Sequence, residues 1–153
     1  MDKIMEILGG FDIAKILPEV NATVGFIVLL SRIVTFFIPL LVLGLGLTYF
    51  LKPPAEANHT FGYRTYFGMG SVEAWQFSQR IGGLVYIILG GVMTLGALIA
   101  FIILFSSSIP TVLTGCAGCI VVELVLVLLT TLTLNIIISV RYDRDGYRRG
   151  KRQ

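Results

Sequence analysis

Three groups of side chains in this sequence combine reactive chemistry with a setting that would use it. The first is a pair of isolated charges. Glu123 is the only charged residue between Thr111 and Val140, and Arg32 is the only one between Val24 and Leu51. A carboxylate near the centre of a bilayer costs on the order of 3 kcal/mol or more, so Glu123 must be neutral, paired or facing water. Arg32 is the partner the sequence offers, because its long side chain sits eight residues beyond Val24 and can reach a neighbouring helix. Such a pair either locks a helix bundle, the reading we favour, or forms a proton-sensitive or ligand-binding site.

The second group is Cys116 and Cys119, a CxxC spacing used by redox and metal centres. A metal would need two further ligands. The sole histidine, His59, is expected on the opposite side of the membrane from these cysteines. No metal and no cofactor is therefore expected, and both thiols read as small residues at a packing seam. The third group lies in the 29 residues from Lys52 to Arg80, which bring Asn58, Arg64, Thr65, Trp75 and Arg80 together in one loop. No carboxylate pair stands in that loop, no histidine falls in an apolar stretch, and no Ser or Cys has an evident base beside it. Acid–base and nucleophilic catalysis are thus unsupported, and the chain is not expected to be an enzyme.

The elements that hold these residues follow from the charge distribution. Hydrophobic residues make up 56% of the chain and charged ones 14%, where soluble domains carry about 25% charged residues. Ile33–Leu51, Ile81–Phe105 and Thr111–Val140 are almost free of charge. A membrane helix needs about 20 apolar residues, so each stretch spans once and none divides into two. Helices apolar on every face would have to be wrapped completely by others in a soluble protein, and three helices cannot do that. The expected fold is all-α, one membrane domain with spans at 24–51, 81–105 and 111–140. An ordered loop covers 52–80, with a short helix over 71–80, and a basic tail covers 141–153. Apolar residues at Ile4, Ile7, Leu8, Phe11 and Ala14 predict an interfacial helix within residues 1–23, ended by Pro18. Asp2, Glu6, Asp12 and Glu19 break any continuous apolar core there, so a cleaved signal peptide is not expected.

Basic residues fix the expected orientation. Lys52, Arg64 and Arg80 in the first loop, with Arg141, Arg144, Arg148, Arg149, Lys151 and Arg152 in the tail, lie on one side, against Lys3 and Lys15 on the other. The C-terminus is expected in the cytoplasm and the N-terminus outside. Asp143 and Asp145 dilute the basic tail, so lipid headgroups rather than nucleic acid are its expected neighbours. Pro39 predicts a modest kink in the first span, since it leaves the Thr35 carbonyl without a donor. Gly44, Gly46, Gly82, Gly83, Gly90, Gly91, Gly96, Gly115 and Gly118 predict close helix seams, within the bundle or in a homo-oligomer.

In the loop, Pro53 and Pro54 stop the first helix, and Ser71 is placed to cap a helix that continues into the second span. The string N-x-x-x-G-Y-R-T, followed by a polar turn, a W and then Q-R-x-G-G, comprises Asn58, Gly62, Tyr63, Arg64, Thr65, Trp75, Arg80, Gly82 and Gly83. It resembles the signature loop of the SdpI family of small bacterial multi-pass membrane proteins. The likeness extends to the layout, one span before the loop and two after it, over about Phe36 to Val140. Some members of that family carry His where this chain has Gln79. The resemblance implies a non-enzymatic protein that confers immunity to a toxic peptide or captures a regulatory protein at the membrane. It also implies that Asn58, Gly62, Tyr63, Arg64, Thr65, Trp75 and Arg80 form the binding site. In that reading Arg64 clamps a phosphate or carboxylate, Asn58 and Thr65 cap the loop's own backbone, and Trp75 anchors it at lipid level. The competing reading is a small transporter or channel subunit with a polar pathway through Arg32 and Glu123.

Overall fold

The computed structural model of the chain describes residues 13–58 and 60–150. The apolar positions Ile4 to Phe11, His59, and the basic residues Lys3, Lys151 and Arg152 lie outside the described residues. Three helices follow one another, α1 (Ile13–Leu51), α2 (Val72–Leu104) and α3 (Ile109–Arg141). Each holds a segment long and apolar enough to cross a membrane, Val20–Leu51 in α1 and the whole of α2 and α3. The protein is an all-helical, multi-pass membrane protein, without strands among the described residues. At 1.5 Å per residue the 33 residues of α2 extend roughly 50 Å, well beyond a hydrocarbon core of about 30 Å. The spare turns leave the membrane and carry polar architecture.

Helix α1 corrects one expectation. Pro18 does not end a helix as expected, because residues 13–23 are the beginning of α1 itself, while residues 4–12 of the expected interfacial helix lie outside the described residues. A proline six residues into a helix releases only one carbonyl, that of Ala14, which is too small a loss to end so long an apolar helix. Helix α1 also runs on through Pro39, whose ring is fully buried. The α2–α3 turn is short, with Ser108 at the N-cap of α3 and Pro110 in the first turn, so these helices are antiparallel neighbours.

Lipid replaces a core over much of the surface. Large aliphatic side chains such as Ile88, Leu95, Ile103, Leu128 and Ile136 stand exposed on the isolated chain, where a soluble protein would hide them. Helix contact depends instead on glycine. A Cβ on Gly90 would stand 2.5 Å from the Leu43 backbone nitrogen, and one on Gly46 the same distance from that of Ile87. A Cβ on Gly83 would stand 2.7 Å from the Phe50 backbone nitrogen, so α1 and α2 meet backbone to backbone along one seam. Gly44, Gly91, Gly96 and Gly118 have nothing within 4 Å of an added Cβ and take no part in it.

The seam gives a paired prediction. Gly90→Ala forces α1 and α2 apart and lowers stability by about 1–3 kcal/mol. Gly91→Ala, one residue away and facing open space, is neutral or slightly stabilising. Unfolding by SDS titration in mixed micelles separates the two, and equal effects would refute the seam.

Candidate functional site

The loop between α1 and α2 folds against the first turns of α2 around one side chain. Gln79, fully buried, points its amide at the backbone of Tyr63. Its Oε1 accepts from the Tyr63 N–H at 2.8 Å, and its Nε2 donates to the Tyr63 carbonyl at 2.9 Å. A buried loop strand would otherwise leave both groups unsatisfied, at about 1–3 kcal/mol each. The approach requires Gly62, which adopts φ +121°, and an added Cβ there would lie 2.8 Å from the Trp75 ring and 2.9 Å from Gln79 Oε1.

Trp75 is fully buried behind this contact and donates its indole N–H to the Pro54 carbonyl at 2.8 Å. It therefore pins the start of the loop to α2 and is not an anchor at lipid level, since both its ring and its donor are consumed inside the protein. Asn58 Oδ1 accepts from the backbone N–H groups of Thr60 (3.0 Å) and Phe61 (2.8 Å), an Asx turn. Thr65 Oγ1 accepts from the Gly68 N–H at 2.9 Å. Gly82 leaves room for the Tyr63 ring, which meets an added Cβ at 3.1 Å.

Tyr63 ties the loop to the rest of the bundle. Its ring packs edge-on to Tyr86, with centroids 5.7 Å apart, and its hydroxyl donates to the Thr131 carbonyl of α3 at 3.2 Å. Tyr86 shares a 2.9 Å hydrogen bond with the Thr131 hydroxyl. Burial, with the Tyr86 phenol as a lesser cause, pushes the Tyr63 hydroxyl well above its ordinary value, so it stays protonated as a donor.

The tail after α3, read from sequence only as a source of positive charge, is a folded part of the same cap. Asp143 organises a turn by accepting from the N–H groups of Asp145 (3.1 Å) and Tyr147 (2.8 Å), with Gly146 at φ +76°. Ser71 accepts from the Ala74 N–H at 3.1 Å as N-cap of α2, and its hydroxyl donates to the Gly146 carbonyl at 2.7 Å. Tyr142 is fully buried against Phe77 (5.6 Å) and donates to Glu73 at 3.4 Å. Burial and the neighbouring Glu73 carboxylate raise the Tyr142 hydroxyl above its ordinary value, against a smaller opposing pull from Arg141 and Arg148. The Arg141 guanidinium lies 4.3 Å from the centre of the Phe77 ring.

Of the residues singled out in sequence, Gly62, Tyr63, Thr65 and Trp75 come together in this cap, and Asn58 shapes its entry. Arg64 and Arg80 are exposed on its surface. Ser71, expected as a helix cap, belongs to it as well, and so do Gln79 and Tyr142, to which no spacing rule pointed. Gly146 had a signal, in the Asp143–Gly146 turn composition.

The expected Arg32–Glu123 pair is not formed. Arg32 lies with its guanidinium 5.4 Å from the centre of the Phe101 ring, beside a void of about 10 Å³ lined by Thr35, Phe36 and Cys116. Glu123, only 5% exposed, faces a different crevice between α2 and α3, and its Oε2 has no hydrogen-bond partner. Ala97 and Cys119 border both spaces and stand between the two charges. Cys116 and Cys119 are free thiols. No group of three His, Cys, Asp or Glu side chains comes together among the described residues.

Residues 55–140, more than half of the chain, match the SdpI/YfhL protein family. The matched segment begins at the loop and takes in α2 and nearly all of α3. Neither a curated protein nor a solved structure matches the chain.

Gln79 supplies the test of this architecture. Gln79→Leu leaves two buried groups of Tyr63 unpaired and costs about 2–5 kcal/mol, freeing the loop. Trp75, the single tryptophan of the chain, reports the change, and its emission shifts to longer wavelength as the ring meets water. Gln79→Glu keeps the acceptor but not the donor and gives a smaller shift. Unchanged emission in Gln79→Leu would remove the amide from the centre of the fold.

Proposed function

This chain belongs to the SdpI/YfhL protein family, and on that premise we propose that it is a non-catalytic protein of the cell membrane that binds a peptide or protein partner, in toxin immunity or in signalling. The observation that carries this reading is the alternation along the loop. Tyr63 and Thr65 are buried and spend their polar groups on the fold, while Arg64 and Tyr66 between and beyond them are exposed. The bonded scaffold carries an exposed guanidinium and an exposed phenol on its surface, with Phe61 also exposed nearby in sequence. That surface suits a partner carrying a carboxylate or phosphate next to an aromatic group.

The Arg64→Ala variant is the test, at membrane abundance matched to the parent chain. Survival against a secreted membrane-active peptide, or co-purification of the bound protein, falls by about tenfold or more on losing charge-assisted hydrogen bonds. Arg64→Lys keeps the charge without the fork and recovers part of the effect. Normal survival together with normal capture in Arg64→Ala would refute the assignment.

The cap faces the cytoplasm in this reading, and the N-terminus lies outside. Support comes from the basic residues of the loop and tail, which gather at one end of the bundle. Tyr147 is 67% exposed on that cap. In a background with Cys116 and Cys119 replaced by serine, Tyr147→Cys reacts with a membrane-impermeant maleimide only after lysis. Labelling of intact cells would reverse the orientation.

A further inference from the structure

We infer that the crevice between α2 and α3 is a binding site for a lipophilic amine that enters sideways from the bilayer and meets Glu123 with its ammonium group. This site is separate from the cap, and its success or failure leaves the reading of the loop untouched.

The crevice has a volume of about 500 Å³ and is lined by Met93, Gly96, Gly118, Cys119, Val122 and Glu123, among others. That volume falls within the range of roughly 300–1,000 Å³ typical of small-molecule sites. Gly96 and Gly118 form its floor in the sense that matters here, because an added Cβ at either meets nothing within 4 Å. Glycines in a membrane helix normally allow another backbone to approach, as Gly46, Gly83 and Gly90 do in this chain. At Gly96 and Gly118 the approach is left open. Val122 is exposed on the isolated chain, so the space opens toward lipid rather than toward water.

Glu123 marks what the space is for. It stands near the middle of α3 (Ile109–Arg141), is 5% exposed, and has a buried Oε2 without a hydrogen-bond partner. A buried polar atom of this kind costs stability unless a donor reaches it, and in hydrocarbon no water supplies one. The intramembrane cation of α1, Arg32, is engaged with Phe101 in another crevice. Among the described residues no side chain supplies the missing donor, which leaves that place to a ligand. An ammonium group supplies both hydrogen-bond donors and the charge that a carboxylate in hydrocarbon needs, and an alkyl body fills the apolar walls. A neutral lipid would satisfy the walls alone.

The full chain in nanodiscs of zwitterionic phosphatidylcholine provides the test, with a photoreactive alkyl-diazirine decylamine as probe and the matching alcohol as control. Adducts are mapped by mass spectrometry and normalised to those on the lipid-facing Leu40 and Leu41 of α1. The amine is expected to label residues 92–97 and 115–126 about tenfold more than the alcohol does, the factor that one charge-assisted hydrogen bond supplies. Excess unlabelled decylamine should compete this labelling away. Glu123→Gln should lower amine labelling to the level of the alcohol. Gly118→Leu, which fills the crevice and keeps the carboxyl, should lower labelling by both probes. Trp75 emission and elution volume verify that each variant is folded, and if Glu123→Gln does not fold, the amine-to-alcohol ratio in the parent chain and Gly118→Leu decide the matter. Equal labelling by amine and alcohol, unchanged labelling in Glu123→Gln, or adducts that instead cross-link two copies of the chain would each overturn the proposal.

Discussion

The two hydrogen bonds between the Gln79 amide and the backbone of Tyr63 are the contact on which the architecture of the cap rests. An irregular segment laid against a helix has no ladder to satisfy its peptide groups, and in a protein with little buried interior it would lie in water or not fold. A side-chain amide carries one acceptor and two donors, so a single glutamine completes both groups of one residue as a neighbouring strand would. Everything adjacent is arranged for that approach. Gly62 supplies a backbone angle and a surface without a Cβ, Gly82 clears the Tyr63 ring, and Trp75 closes the space behind while holding Pro54.

Tyr63 then transmits the position of the loop to all three helices. Its backbone belongs to Gln79 of α2, its ring to Tyr86 of the same helix, and its hydroxyl to Thr131 of α3. Tyr49 of α1 meets both Tyr86 and Phe61 through its ring. The tail adds a second tie, since Ser71 is at once the N-cap of α2 and the donor to Gly146, and Tyr142 enters the same buried cluster as Tyr63. A membrane bundle gains little from burying apolar surface between its helices, because lipid is already apolar. Here the specificity of packing is supplied by hydrogen bonds and aromatic contacts that join the loop and the tail to the helices. The glycine seam of Gly46, Gly83 and Gly90 then needs only to let the helices close.

The spans were legible because lipid imposes one simple demand, about 20 apolar residues without charge, and α1, α2 and α3 meet it with almost no ambiguity. The Ser71 cap was legible for a similar reason, as a local rule about orphan N–H groups. Gln79 was not, because nothing in the spacing of a glutamine tells whether its amide faces water or a backbone sixteen residues away. Trp75 and the Arg32–Glu123 pair misled for opposite reasons. A tryptophan at a membrane boundary is ordinarily an interfacial anchor, and this one is drawn inside by the Pro54 carbonyl. Two lone opposite charges in neighbouring spans invite pairing, but helix rotation decides which face each presents, and apolar spans with no strong periodicity leave that rotation open. The ring of Phe101 takes Arg32, and Glu123 turns to the other side of Cys119.

The two ends of this division carry different kinds of polarity. In the cap the buried polar groups of Tyr63, Thr65 and Gln79 find partners within the chain, and Arg64 and Tyr66 stand exposed on its surface. At mid-membrane the opposite holds, because Glu123 keeps a buried oxygen unsatisfied beside an open, glycine-floored space. A saturated scaffold presents groups to something that arrives from water with its own complementary charge. An unsaturated carboxyl in hydrocarbon instead draws a donor that must already be dissolved in the lipid. The two proposed sites therefore differ in the phase through which a ligand would reach them, and the desolvation cost met on the way would decide which of them it could enter.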